Sequence, residues 1–136
     1  MPLRVRTAPM TYRGPDRLDV TRKSGGPEGH PFAPSWRILG KALAARRAAR
    51  DLPADAAREI ERQAWEAYSP AYLAEMAASR ERQPEAWRDL LSRERVVLVC
   101  YCRNRERCHR GLLAVLLADL GAIDAGEVGA SEHLPF

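Results

Sequence analysis

The run Val96-Val97-Leu98-Val99-Cys100 is apolar at every position, and it constrains the fold more than any other stretch. Successive residues of a strand face opposite sides. A strand apolar on both sides therefore belongs at the centre of a sheet covered on both faces, as in parallel α/β sheets. The chain then passes into a polar loop rich in arginine, Tyr101 to Arg107. At Cys108-His109-Arg110 it enters an apolar helix reaching Leu120, with Leu112, Leu113, Val115 and Leu116 on a wide face and Gly121 at its stop. Strand, loop and helix in that order form one unit of a parallel sheet, and ligands of such sheets bind at the carboxyl edge of the strands.

The rest of the chain supplies partners for this unit. Leu3 to Thr7 alternates apolar and polar, and Leu18-Asp19-Val20-Thr21 is a second short strand. A last one is expected at Glu127-Val128-Gly129. Between them the spacing predicts helices over Trp36 to Arg50, Ala56 to Tyr68 (capped by Asp55), Ser69 to Ser79 restarting at Pro70, and Glu85 to Ser92 after Pro84. The expected fold is α/β, a small, mostly parallel sheet flanked by helices with a helical middle segment. It forms one domain over residues 1–136, with 125–136 a loose tail.

Composition narrows the setting. The 136 residues carry a net charge of +4, most of the excess being arginine, which favours phosphate or nucleic acid as a partner, but only mildly. All three cysteines lie within nine positions, Cys100 to Cys108, so they do not form a disulfide framework. Met1 to Arg6 has no apolar signal core, and no apolar run approaches the roughly 18 residues of a membrane span. A cytoplasmic protein without membrane contact is expected.

The cysteine loop is where chemistry is expected. A helix start at Cys108-His109-Arg110 offers free N–H groups and a dipole that favour an anion. Arg103, Arg105, Arg107 and Arg110 add donors able to hold phosphate or carboxylate. A thiol in that field has its ionised form favoured. Three readings follow. Cys108 or Cys102 is a nucleophile assisted by His109; or two cysteines form a reversible pair; or Cys100, Cys102, Cys108 and His109 bind zinc. The spacing C-x-C-x5-C-H is not a usual zinc pattern, and adjacent residues such as Cys108 and His109 seldom ligate together. No metal or cofactor is therefore expected. Cys100, at the end of an apolar strand, reads as core packing. The tyrosine-phosphatase loop does not fit either. It needs arginine six residues after the cysteine, where this chain has Glu106 after Cys100 and Cys108 after Cys102.

Asp19, Arg22 and Ser24 follow the second strand, so a parallel arrangement puts them at the same sheet edge, where Asp19 would orient His109 or an arginine. Gly25 and Gly26 allow close approach of a ligand. Trp36, Trp65, Trp87 and Tyr68 read as anchors into the core rather than stacking platforms. Arg46-Arg47-Arg50 reads as a solvated helix face, with contact to a nucleic-acid backbone as the alternative. His30 and His133 carry no signal alone.

At these residues the sequence resembles the DUF488 family of small uncharacterised prokaryotic and phage proteins. There a hydrophobic strand ends in cysteine, and eight residues later a Cys-His-Arg triplet opens an apolar helix. Cys100 and Cys108-His109-Arg110 match at that spacing, and Gly111-Leu112-Leu113-Ala114 fits the start of the helix. Leu18 to Ser24 looks like the family's Asp-Val-Arg-type motif followed by Ser, with Thr21 inserted between Val20 and Arg22. Tyr12 to Ser24, with Phe32 to Trp36, looks most like the short phage-type members. Cys102 departs from many longer members. The resemblance implies an α/β fold with both motifs at one end of the sheet, and no established activity.

The functional expectation is a thiol-containing anion pocket. Cys108, His109 and Cys102 would carry chemistry, and Arg110, Arg22, Ser24, Asp19 and Arg103 would bind the anion. The ligand would be a phosphorylated small molecule such as a nucleotide, or a nucleic-acid end, and the reaction cysteine-based transfer or hydrolysis. The rival is a non-enzymatic phage or mobile-element protein that binds nucleic acid or a host protein through its arginine-rich surface.

Overall fold

The computed structural model describes residues 1–102 and 104–129; Arg103 and residues 130–136, His133 among them, lie outside the described residues. The chain runs β1 (Arg4–Pro9), β2 (Arg17–Asp19), α1 (Gly26–Gly29), a 3-10 turn His30–Phe32, α2 (Trp36–Ala49), α3 (Ala54–Arg82) and α4 (Pro84–Leu91). It continues with β3 (Arg95–Cys100), a 3-10 turn Arg105–Arg107, α5 (His109–Asp119) and β4 (Ile123–Glu127). The fold is α/β. Its four strands are ordered β2-β3-β1-β4, and each neighbouring pair is parallel.

Strand β3 lies inside the sheet, and Val96 to Cys100 are all buried. Its two faces go to different cores. Val96 and Leu98 join Leu3, Val5, Leu18 and Val20 against side chains from the helices, among them Ile38, Tyr72, Met76, Leu90, Leu113 and Leu117. Val97 and Val99 pack with Ala8, Tyr12 and Val128, and Met10 leans on them. The second cover is thus a smaller cluster of strand and loop residues.

Two expectations shift. The last strand forms over Ile123–Glu127 rather than Glu127 to Gly129. Ile123 N–H donates to the Leu3 carbonyl at 2.8 Å, which starts the pairing with β1, so Ala125 to Glu127 belong to the sheet and not to a loose tail. Also, no break occurs at Ser69-Pro70: α3 is continuous, with Pro70 inside it. Proline removes the bond that the Glu66 carbonyl would accept. Ser69 Oγ adds a bond to the Trp65 carbonyl at 2.9 Å. Burial overrides the breaker, because residues beyond the proline are anchored. Tyr72 donates to the Phe32 carbonyl at 2.7 Å, and Ser79 to the Pro31 carbonyl at 2.6 Å. Trp87 Nε1 then donates to Ser79 Oγ at 3.1 Å, joining α4 to α3.

One glycine fixes the approach of α1 to β2. A Cβ on buried Gly29 would lie 1.7 Å from the Asp19 carbonyl oxygen, so only glycine fits there. No helix among the described residues is long and apolar enough to cross a membrane.

Gly29→Ala should lower the unfolding free energy by about 1–3 kcal/mol, the usual cost of forced overpacking. Gly40→Ala is the control. It lies inside α2, and its Cβ would meet nothing within 4 Å. It should be neutral or gain up to about 1 kcal/mol from helix propensity. Equal urea midpoints for the wild type and Gly29→Ala would contradict the packing described.

Candidate functional site

Because β2 and β3 run parallel with Asp19 level with Val99, the loops that follow both strands open at one sheet edge. Cys100 ends β3, Cys102 lies two residues on, and Cys108 is the N-cap of α5. The intervening loop is folded back by Gly111. A Cβ at Gly111 would lie 2.3 Å from the Arg105 carbonyl, so its absence lets the first turn of α5 sit against the Arg105–Arg107 turn. The three sulfurs consequently lie within 4.8 Å of one another. All three thiols are free; Cys100 and Cys108 are buried and Cys102 is half-buried.

Arg110 supports the cluster from inside. It is fully buried, and its Nη1 donates to Cys100 Sγ at 3.0 Å and to the Cys102 carbonyl at 2.6 Å. Its Nη2 and Nε donate to the Glu127 carboxylate at 2.7 and 3.3 Å. Burial raises the pKa of Glu127, but the bonds from Arg110 and Thr7 outweigh it and hold the carboxyl below its usual range. The side chain read as an anion ligand is thus committed to β3, β4 and the loop between β3 and α5.

His109 is fixed by its other nitrogen. Nε2 lies 2.8 Å from the Val20 carbonyl, which can only accept, so Nε2 carries the hydrogen. Nδ1 then presents a lone pair, and Cys108 Sγ lies 3.8 Å from it. Burial lowers the pKa of His109, which keeps the ring neutral. Among the thiols, bonds from Cys100 and then Cys108 hold Cys102 well below the ordinary thiol range, with Arg46 adding to the effect. Cys108 is pushed up by Cys100 and Cys102, and Cys100 by Cys102.

The residues after β2 order their own loop. Asp19 accepts from Thr21 N at 2.9 Å, Thr21 Oγ1 at 2.6 Å and Ser24 Oγ. Burial raises its pKa, and those bonds more than offset it. Ser24 Oγ lies 3.0 Å from the Tyr101 hydroxyl, which links this loop to the cysteine loop. Arg22 donates to the carbonyls of Pro34, His30 and Ala33 at 2.9, 3.2 and 3.1 Å. Carbonyls fix a guanidinium without neutralising it, so its charge persists.

A cavity of about 410 Å³ opens at this edge. Cys102, Cys108 and His109 line it on one side. Arg22 and Lys23 come from the loop after β2, Arg46 from α2 and Arg107 from the cysteine loop. Trp36, Trp65, Tyr68 and Tyr101 supply the aromatic lining, and Glu61 a carboxylate. Ser35 ties the two helical walls together: its N–H donates to Glu75 of α3 at 2.8 Å and its hydroxyl bonds the same carboxylate. Trp65 stacks on Tyr68 with centroids 5.7 Å apart, Tyr68 on Tyr72 at 6.1 Å, and Tyr72 tilts against His109 at 5.5 Å.

The structure thus brings Cys102, Cys108, His109 and Arg22 to one cavity, with Arg110 behind the thiols and Asp19 and Ser24 ordering its rim. Arg103 lies outside the described residues. Of the aromatics expected in the core, Trp87 is there, in edge contact with Phe32 at 4.9 Å. Tyr68 packs against the core as well as lining the cavity, whereas Trp36 is 56% exposed and lines the cavity with Trp65. Arg46 is exposed, as a solvated face requires, and lines the cavity too. One signal did exist. Trp36, Leu39, Leu43 and Arg46 follow helical spacing, an apolar stripe that ends in a cation.

A family model, DUF488-N3a, described as the active DUF488-N3 subclade, matches residues 30–121. No curated protein and no solved structure matches the chain. The matched span includes the three cysteines, His109 and Arg110, and leaves out Asp19 to Ser24.

Arg110→Met should cost about 1–3 kcal/mol, because it strips the Cys102 carbonyl and the partly exposed Glu127 carboxylate of their buried donor. The pH dependence has a definite sign. The folded pKa of Glu127 lies below the ordinary carboxylate value, so its contribution is complete above that ordinary value and fades as pH falls through the folded pKa. In urea titrations the gap between wild type and Glu127→Gln should narrow from pH 7 to pH 3. A constant gap would count against the pair.

Proposed function

The chain belongs to the DUF488 family, and on that premise we propose that its cavity binds an anionic ligand with a planar apolar group, a nucleotide or related phosphorylated small molecule, on which Cys102 acts in cysteine-dependent transfer or hydrolysis. The observation that carries this reading is the shared lining: aromatic rings, cationic side chains and a half-buried sulfur face one cavity of about 410 Å³. That volume suits a small-molecule ligand. Rings such as Trp65 and Trp36 favour stacking with a flat group. Arg22, Lys23, Arg46 and Arg107 suit phosphate, and Arg103 belongs to the proposal as a further cation of the same loop.

The nucleophile moves from Cys108 to Cys102 on grounds of access. Both residues line the cavity, but Cys108 is 2% exposed and Cys102 is half-buried. Attack by the Cys102 sulfur forms a bond to the electrophilic atom as the leaving group departs with a proton. Water or a second acceptor then displaces the sulfur and regenerates the thiol. Cys108 and His109 support that sulfur from behind. The description of the subclade as active is consistent with an enzyme. The rival, a nucleic-acid or host-protein binder, draws on the exposed Arg47 and Arg50 of the chain.

Iodoacetamide below one equivalent should label Cys102 before Cys100 and Cys108 by peptide mapping. Nucleoside mono- and diphosphates, screened by calorimetry, should include a binder whose affinity falls at least about tenfold in Trp65→Ala and in Arg46→Ala. Cys102→Ser should keep that binding and lose turnover. Unchanged binding in both cavity variants would sink the pocket reading. A steep fall in the affinity of random DNA with added salt, without nucleotide binding, would favour the rival.

A further inference from the structure

We propose that Cys100, Cys102 and Cys108 together bind one thiophilic d10 metal ion of the zinc class, with a fourth coordination position open toward the cavity. The inference goes beyond the ligand reading and does not depend on it. Soft thiolates select such ions over harder ones. A Zn–S bond of about 2.3 Å places the sulfurs of a shared ion about 3.8–4.0 Å apart. Here the three sulfurs already lie within 4.8 Å of one another, so small side-chain rotations close the site. The residues come from two elements, the end of β3 and the N-cap of α5, so the convergence belongs to the tertiary fold and not to local spacing.

The surroundings fit a charged thiolate site. Three thiolates and a divalent ion carry a net charge of −1. The buried Arg110 guanidinium supplies the opposite charge, and its Nη1 donates to Cys100 Sγ at 3.0 Å. Such outer bonds to ligating sulfur orient it and tune the ion. His109 Nδ1 is 3.8 Å from Cys108 Sγ but is not part of the converging set. The fourth position therefore falls to the cavity side, where Cys102 is half-buried and water or an anion has access. A site with three protein ligands and one open position differs from the closed four-ligand structural type.

Binding is balanced by protons. Each thiol that ligates as thiolate releases its proton to solvent, so up to three leave per ion taken up. No oxidation state changes. A ligated Cys102 has no free sulfur for attack, so the loaded protein is an off state for the thiol chemistry proposed above. Metal occupancy and alkylation are mutually exclusive.

The test uses the full chain, reduced with a phosphine and equilibrated with Zn²⁺ alone. Gel filtration and elemental analysis should find one ion retained per chain, and the loaded protein should resist iodoacetamide at Cys102. Cd²⁺ in its place should give thiolate-to-metal absorption in the ultraviolet. Cys102→Ser, whose side chain is half-buried, should keep the wild-type circular dichroism and lose at least about 100-fold in Zn²⁺ affinity. Cys108→Ser should do the same; if it fails to fold, Cys102→Ser carries the test. A folded wild type that retains no Zn²⁺, or a Cys102→Ser variant that retains it equally, overturns the proposal. Nucleotide affinity in Trp65→Ala, measured without metal, reports on the ligand reading separately.

Discussion

The buried guanidinium of Arg110 is the interaction on which the cysteine-bearing edge of the sheet depends. One planar group joins the sulfur that ends β3, the carbonyl of Cys102 and the carboxylate that ends β4. Its charge is tolerable inside the protein because Glu127 opposes it and its donors find acceptors. Glu127 is bonded in turn by Thr7 of β1. Three strands and the cysteine loop are therefore held at one end by a single connected set of polar groups. Remove its charge and the loop that carries Cys102 loses its anchor, while the apolar sheet below retains its packing.

Around that anchor, the cavity is made by elements that arrive from far apart in the chain. The loop after β2 is ordered by Asp19 and held to the segment before α2 by Arg22. The two long helices are tied at Ser35 and Glu75. The thiols stand where these pieces meet, beside a neutral histidine whose orientation comes from the Val20 carbonyl. Backbone carbonyls thus do much of the positioning, which leaves several charged side chains available to face the cavity.

Much of the fold was legible in the chain. Val96 to Cys100 reads as an inner strand because apolar residues at both parities need cover on both faces, and the structure provides it. The helix after Cys108 and the edge shared by Asp19 with the cysteines follow from the same parallel logic. Pro70 does not interrupt α3, because the anchors at Tyr72 and Ser79 that follow it are tertiary bonds invisible to a local breaker rule. Trp36, Trp65 and Arg46 were hidden because helical periodicity says which residues share a face and not what that face meets. Arg110 was legible as part of a helix start beside the cysteines; that it would lie beneath the thiols was not.

The sequence by itself determined that this chain forms a parallel α/β sheet and that its three cysteines gather after the inner strand. Alternation, helical period and glycine punctuation are local properties, and they survive any arrangement of the neighbours. Only the tertiary structure decided which thiols line the cavity, where the arginine charges go, and that three thiols at an unfamiliar spacing converge within 4.8 Å of one another. Those outcomes depend on distances between segments up to a hundred residues apart, and such distances are set by packing and buried charge rather than by any local pattern.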